Sequence, residues 1–304
     1  MSANSHIRFI TQEELNKESW NRCVHSSHNE LIYGHTEYLD HMAKHWDGLV
    51  LNDYEAVMPL TWNMKWGIKY LYQPPLTPQL GIFSENIISA ELVGAFLERI
   101  PKEFRFAEIF LNYANPYHQL KAQDNFVLDL GNPHPEISNL YKQDLLKNLK
   151  RASKHELIYK EYNDLDKALA LHQHQYKERT AHVKDSDYER FRNLCHFLGD
   201  RGSVIMRSIT GDDHELLALA LLLRSSKRLY FMESTTLAKG RELQANHFLV
   251  DAVLREYSGQ DLLFDFVGSS IPGIAHFYKN YGAENQPSYF YYLNKLPWWL
   301  RAFK

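Results

Sequence analysis

Three apolar runs lie so close together in the second half of this chain that their connectivity is nearly dictated. They read SVIMRSI (203–209), ELLALALLLR (215–224) and RLYFMES (228–234), separated by Gly211, Asp212 and Asp213 and then by Ser225, Ser226 and Lys227. Gaps this short close hairpins, whereas a parallel crossover takes a dozen or more residues. The runs are therefore expected to form an antiparallel meander. Beyond it the pattern alternates: helical LQANHFLVDAVLREY (243–257), apolar LLFDFVG (262–268), helical IPGIAHFYKN (271–280) and aromatic SYFYYLN (288–294). A helix between two strands suits a parallel connection. A meander that meets a parallel strand leaves two central strands, ending near Glu233 and Asp265, free to splay, and ligands favour such splayed ends.

The first half has a comparable order. HIRFI (6–10) reads as a strand, and the following helix is expected to be capped by Thr11 with Glu14 at capping-box distance. A helix in TEYLDHMAKHW (36–46), short strands between 48 and 83, a helix in SAELVGAFLERI (89–100) and strands in FRFAEIFLNY (104–113) and NFVLDLG (125–131) follow. Helix-forming HPEISNLYKQDLLKNLKRASKHE (134–156), strand LIYKEY (157–162) and two further helical stretches lead into the meander. The repeated order predicts an α/β protein of the α+β, mixed-sheet kind, divided into 1–135 and 136–304. A doubly wound dinucleotide fold is excluded because no strand-GxGxxG-helix unit occurs.

With 304 residues and 44% hydrophobic content the chain can bury ordinary cores. Its 34 Lys and Arg against 37 Asp and Glu give a net charge of −3, which provides no global attraction to DNA or to an anionic membrane. Cys23 and Cys195 are distant and match no zinc or disulfide spacing. No leader is read at the start, and LLALALLL is too short to span a bilayer, so a soluble cytoplasmic protein is expected. The sixteen histidines include no HExxH, and no metal site is expected.

The segment AHFYKNYGAE (275–284) resembles the late-helix motif of the GNAT acyltransferase superfamily, which ends F-Y-x-x-x-G-F; Ala283 stands where the last aromatic is usual. LAKGRELQAN (237–246) is similar to that superfamily's acetyl-CoA loop, R/Q-x-x-G-x-G/A, through Gly240, Arg241 and Ala245, and lacks the second glycine. Two GNAT-like halves, the basic segment LLKNLKRASKHEL (145–157) and DFVGSS before IPGIAHFYKNYG together resemble the Fem-like branch of tandem-GNAT aminoacyl and peptidyl transferases. The resemblance implies two tandem GNAT-like domains, the first shaping the acceptor site and the second carrying the active cleft. It implies amide formation on a small-molecule or lipid-linked amine, such as a cell-wall precursor. The donor would be acyl-CoA, an acyl carrier or aminoacyl-tRNA, a substrate and not a tightly bound cofactor. Two competitors stand beside this reading: an N-acyltransferase using acyl-CoA or acyl carrier protein, and a GNAT-derived binding protein without catalysis.

By the same resemblance Tyr278 falls on the tyrosine that protonates the leaving group, a thiolate or a ribose oxygen; the alternative is a tyrosine packed between helix and sheet. Glu233 and Asp265 are candidates to accept the amine proton or else form structural pairs, since a carboxylate inside a strand is costly unless paired. Backbone amides at Ser234, Thr235, Thr236 and Gly240 are candidates to hold an oxyanion or a phosphate, with Lys239 and Arg241 adding positive charge. Phe266, Gly268, Ser269, Tyr281 and Tyr291 are assigned to the substrate cleft, with Ser269 or Ser270 as a helix cap and 289–292 covering that helix. Lys147, Lys150, Arg151 and Lys154 share one helix face, for binding phosphate, tRNA included, or for solvation. Trp298 and Trp299 in the tail either touch a membrane surface or pack onto their own domain.

Overall fold

Each of the three apolar runs forms its own strand. In the computed structural model, which describes residues 6–176, 183–267 and 272–298, β10 (Val204–Thr210), β11 (Leu216–Arg224) and β12 (Arg228–Thr236) pair antiparallel in succession. They belong to the second of two compact units, which takes in residues 124–286.

The other strands of this unit are β8 (Phe126–Asp129), β9 (Ile158–Glu161), β13 (Leu263–Asp265) and β14 (Glu284–Asn285). The seven-stranded sheet runs β14-β8-β13-β12-β11-β10-β9, and among the described residues β12 with β13 is its one parallel pair. Helices α4 (His134–Ser138), α5 (Gln143–Ala152), α6 (Leu165–Tyr176), α7 (Asp185–Gly199), α8 (Ala238–Glu242), α9 (Ala245–Tyr257) and α10 (Pro272–Lys279) complete it. The core of the unit packs Leu145 of α5, Leu249, Val250, Val253 and Leu254 of α9, and Tyr281 against Ala218, Ala220, Leu222, Leu229 and Phe264 of the sheet.

The parallel pairing is short. Arg228, Leu229 and Tyr230 lie opposite Leu263, Phe264 and Asp265, after which β12 continues to Thr236 while β13 stops. Asp265 itself supplies the reason. Its Oδ1 accepts the Val267 N–H at 2.8 Å, closing a turn in which Val267 takes φ +57°, a conformation costly for a β-branched residue. The next amide, Phe266 N–H, donates to Phe126 O on the far side, so the chain leaves β12. On β12, register places Phe231 opposite Leu222 and Glu233 opposite Leu221, leaving Met232 as a bulge.

The fully buried Asp265 carboxylate is held by Arg228 Nη1 at 3.0 Å on Oδ2 and by Asn125 Nδ2 at 3.2 Å on Oδ1. Arg228, also buried, directs Nη2 to Gln286 Oε1 at 2.7 Å. One ion pair thus fixes the strand beside which the sheet opens.

The first unit contains the chain up to Gln123 and returns at Pro287. Its strands are β1 (Ile7–Ile10), β2 (His45–Leu51), β3 (Ala56–Lys65), β4 (Ile68–Tyr72), β5 (Phe83–Ser84), β6 (Phe106–Leu111), β7 (Lys121–Gln123) and β15 (Ser288–Asn294), with α1 (Lys17–Ser26), α2 (Thr36–Met42) and α3 (Ala90–Glu98). The sheet order is β1-β2-β3-β4-β6-β15-β7, with β5 on β3 and with β4 parallel to β6. The division therefore differs from a cut at 135/136: β8 is already in the second sheet, and the final strand goes back to the first. Tyr289 to Asn294 pair with Leu111 to Phe106, so the aromatic segment covers the first unit's own sheet and not α10. The first helix also starts later than expected. Thr11 spends its hydroxyl on Glu14 in a turn, and Asn16 caps α1 by accepting Ser19 N–H at 2.9 Å. No described helix is long and apolar enough to cross a membrane.

Removing one partner of a buried pair leaves an uncompensated charge. Arg228→Met is expected to cost about 3–5 kcal/mol in urea unfolding, and the Arg228→Met, Asp265→Asn double variant to recover most of that loss. A single-variant cost under about 1 kcal/mol, the level of an exposed pair, would show that the pair does not anchor β13.

Candidate functional site

Beyond the bulge at Met232 the residues of β12 point alternately to the two faces of an opened sheet. Ser234 Oγ donates to Asn246 Oδ1 of α9 at 2.8 Å, whereas Glu233 and Thr235 face α6, where His172 lies. Glu233 is 5% exposed; its Oε1 has no hydrogen-bond partner among the described residues, and His172 Nε2 lies 3.9 Å from it. Burial raises the Glu233 carboxyl to about 8 and lowers His172 to about 4. At neutral pH this is a protonated carboxyl beside a neutral imidazole. The same face holds the buried thiol of Cys195, which burial and the nearby Glu233 push upward, away from nucleophile range.

Past the end of β12 a cavity of about 1050 Å³ opens, lined by His174, Gln175 and Tyr176 of α6, Thr236, Gly240 and Arg241 of α8, Gln244, Asn246 and His247 at the start of α9, and Phe277 of α10. Thr236 O accepts Gln175 Nε2 at 2.7 Å and Arg241 Nη1 at 2.6 Å, so it ties α6 and α8 to the strand end. A Cβ on Gly240 would stand 2.1 Å from Leu217 O, so only glycine lets α8 lie this close to β11. Gln244 enters α9 at φ +58°, and the first amides of that helix have no partner four residues back. Arg241 and this helix start form a region suited to phosphate. Burial lowers His247 to about 4, leaving it neutral. A smaller groove of about 510 Å³ shares His247 and Phe277 and adds Lys147, Asn148 and Arg151 of α5 with His276 and Asn280.

Tyr278 packs its ring 4.5 Å from Phe266, and its hydroxyl is pushed upward by burial, by the Asp265 charge and by Tyr176. The phenol is kept protonated beside the place where β12 and β13 part.

The other sequence candidates are distributed differently. Asp265 is committed to Arg228, Asn125 and Val267, which makes it the residue that ends β13 and removes it as a proton acceptor. Phe266 and Tyr281 are buried in the core, the latter donating its hydroxyl to His247 O at 3.2 Å, so neither lines a cleft. Tyr291 is in the first unit's sheet opposite Ile109. Lys239 is bound by Asp213 at 3.0 Å and Glu215 at 2.7 Å, which neutralises the charge assigned to a donor. Gly268, Ser269 and Ser270 lie outside the described residues. Sequence reasoning assigned no role to His172, Gln175, Tyr176, Gln244, Asn246 or His247. The L-Q-A-N-H run directly after the glycine loop was the available signal for the helix start.

A search of curated protein sequences finds no match. Residues 141–280 match the family model described as an acetyltransferase (GNAT) domain. Among solved structures, the FemX crystal structure superposes with a TM-score of 0.65 at 12% identity, covering 92% of this chain and 97% of that one. The C-terminal domain of a protein assigned as a lysylphosphatidylglycerol synthetase from Agrobacterium fabrum gives 0.56 at 12% identity, with 92% of each chain covered. A conserved protein of unknown function from Bacteroides thetaiotaomicron gives 0.57 at 9% identity, covering 95% of this chain and all of that one, at 100%. Residues 141–280 therefore match a GNAT acetyltransferase domain, in a chain whose fold is similar to that of the FemX structure.

Proposed function

We propose that the second unit transfers an acyl or aminoacyl group from a phosphate-bearing thioester or ester donor to a primary amine. The observation that carries this reading is the buried Glu233 carboxyl, unpartnered at Oε1 among the described residues, on the stretch of β12 that β13 has left. The amine nitrogen attacks the donor carbonyl carbon, a C–N bond forms and the C–S or C–O bond breaks. Glu233, once deprotonated, takes the proton lost by the amine, and Tyr278 returns one to the leaving sulfur or oxygen. A base with a value near 8 is well matched to an amine, because it holds the proton strongly when it receives it. Arg241 and the α9 start are suited to the donor's phosphate, and the Lys147 and Arg151 groove to a more distant one.

The donor can be acyl-CoA, acyl carrier protein or aminoacyl-tRNA. The GNAT domain favours a CoA thioester. The resemblance to the Fem-like branch, with the likeness in fold to FemX, supports an aminoacyl donor and a lipid-linked amine, while the domain assigned to lysylphosphatidylglycerol synthesis adds support for a lipid-bound acceptor only.

The reading is tested by offering the protein acetyl-CoA or aminoacyl-tRNA with a panel of primary amines and detecting new amides by mass spectrometry. Glu233→Gln should lower kcat about a hundred-fold or more and remove a rise in rate centred near pH 8, where Glu233 releases its proton. Arg241→Ala should weaken donor binding about ten-fold, as expected for loss of one charge-assisted contact. Absence of amide with every donor, or a Glu233→Gln variant of undiminished rate, would contradict the assignment.

A second test needs no substrate. The folded state keeps the Glu233 proton up to about pH 8, whereas the unfolded chain releases it near its ordinary value. Stability from this group is greatest below the unfolded value and falls as the pH rises to about 8. Glu233→Gln should therefore match the wild type in urea near about pH 4 and exceed it by on the order of a few kcal/mol near about pH 9. Equal stability at both pH values would show an ordinary carboxylate.

A further inference from the structure

The first unit carries exposed aromatic surface that the transferase reading does not use. β3 and β4 pair Lys65 with Ile68, so Trp66 and Gly67 form a two-residue hairpin turn with φ +53° and +75°. Such turns favour Asn-Gly, and a bulky residue held left-handed is unfavourable. Trp66 is nevertheless there, 72% exposed, beside Met64 at 57%.

The sheet brings a second exposed tryptophan to the same end. Met64 lies opposite Lys69, Arg105 N–H donates to Lys69 O at 3.3 Å, and Lys295 N–H donates to Arg105 O at 2.8 Å. Met64, Lys69, Arg105 and Lys295 thus form one row across β3, β4, β6 and the end of β15. Leu296 folds onto Phe106, Ile68 and Tyr70 at this end, and Trp298, two residues on, is 83% exposed. Lys65, Lys102, Arg105 and Lys295 are all exposed, and the acids near this row include Glu103, paired with Lys69 at 2.8 Å, and the buried Asp47 within reach of the same pair. Tryptophans surrounded by basic side chains match the chemistry of a lipid headgroup layer, where the ring enters the interface and the cations meet anionic lipid. A nucleic acid would use the cations and stack a base on a ring, but would give no use to Met64.

We propose that this end of the first sheet, with Trp66 and Trp298 as its apolar contacts and Lys65, Arg105 and Lys295 as its cations, docks on the surface of an anionic lipid bilayer. Flotation of the full chain with vesicles of phosphatidylcholine alone, or of phosphatidylcholine mixed with phosphatidylglycerol, tests it. Binding is expected to the mixed vesicles, to weaken as salt is raised, and to fall about five-fold for Lys65→Ser or Lys295→Ser. Trp66→Asn should reduce binding about ten-fold or more while keeping or raising the melting temperature, because Asn-Gly suits the turn. That pairing separates loss of lipid contact from loss of fold. No flotation of the wild type with the mixed vesicles overturns the proposal. So does binding that Trp66→Asn leaves unchanged, or binding to single-stranded RNA with the vesicles ignored.

Discussion

The ion pair of Arg228 and Asp265 is the interaction on which the second unit's site depends. Two buried charges are expensive to bring together, and their attraction offsets the cost only with good geometry and further hydrogen bonds. Asp265 has both: one oxygen takes the guanidinium and the other takes Asn125 and Val267. The bond to Val267 matters most for shape. It stops β13 at the third paired residue, and β12 runs on alone to Thr236. A sheet that stayed paired to the end of β12 would close the edge of the strand beside Glu233 and leave no gap there.

The electrostatics follow from that geometry. A carboxyl without a compensating cation and out of water keeps its proton, and an imidazole in the same surroundings loses one. Glu233 and His172 move in opposite directions for this single cause. Asp265, a few residues away in space along the sheet, is equally buried yet has its cation, which is why two acids on neighbouring strands serve different ends. The bulge at Met232 separates Phe231, packed in the core, from Glu233 on the opposite face.

Much of the second unit was legible in the sequence because its signals are local. Hairpin gaps of a few residues and a switch to alternating helix and strand are readable without a partner, whereas the packing reason for Gly240, its close approach to Leu217 O, is visible only in the fold. The membership of β15 was not legible, since an apolar strand such as 288–294 carries no mark of which sheet it will join; its pairing with β6 spans the whole second unit. Asp265 was ambiguous for a related reason. Its role depends on Arg228, thirty-seven residues earlier, and pairing in space has no spacing rule across the two intervening helices α8 and α9. Phe266 and Tyr281 were taken for cleft residues because aromatic side chains near a motif are as often its packing as its surface. His172 and His247 escaped for want of any pattern; burial, not neighbours in sequence, sets their state.

The central claim is that Glu233 stands protonated at neutral pH, with no partner for Oε1 among the described residues. Carbon-13 NMR of protein labelled at the glutamate side-chain carboxyls measures this directly, with Glu233→Gln identifying the resonance. The account predicts one carboxyl that titrates near pH 8 and is absent from the variant spectrum. A Glu233 resonance titrating near the ordinary glutamate value of about 4.3 would contradict it.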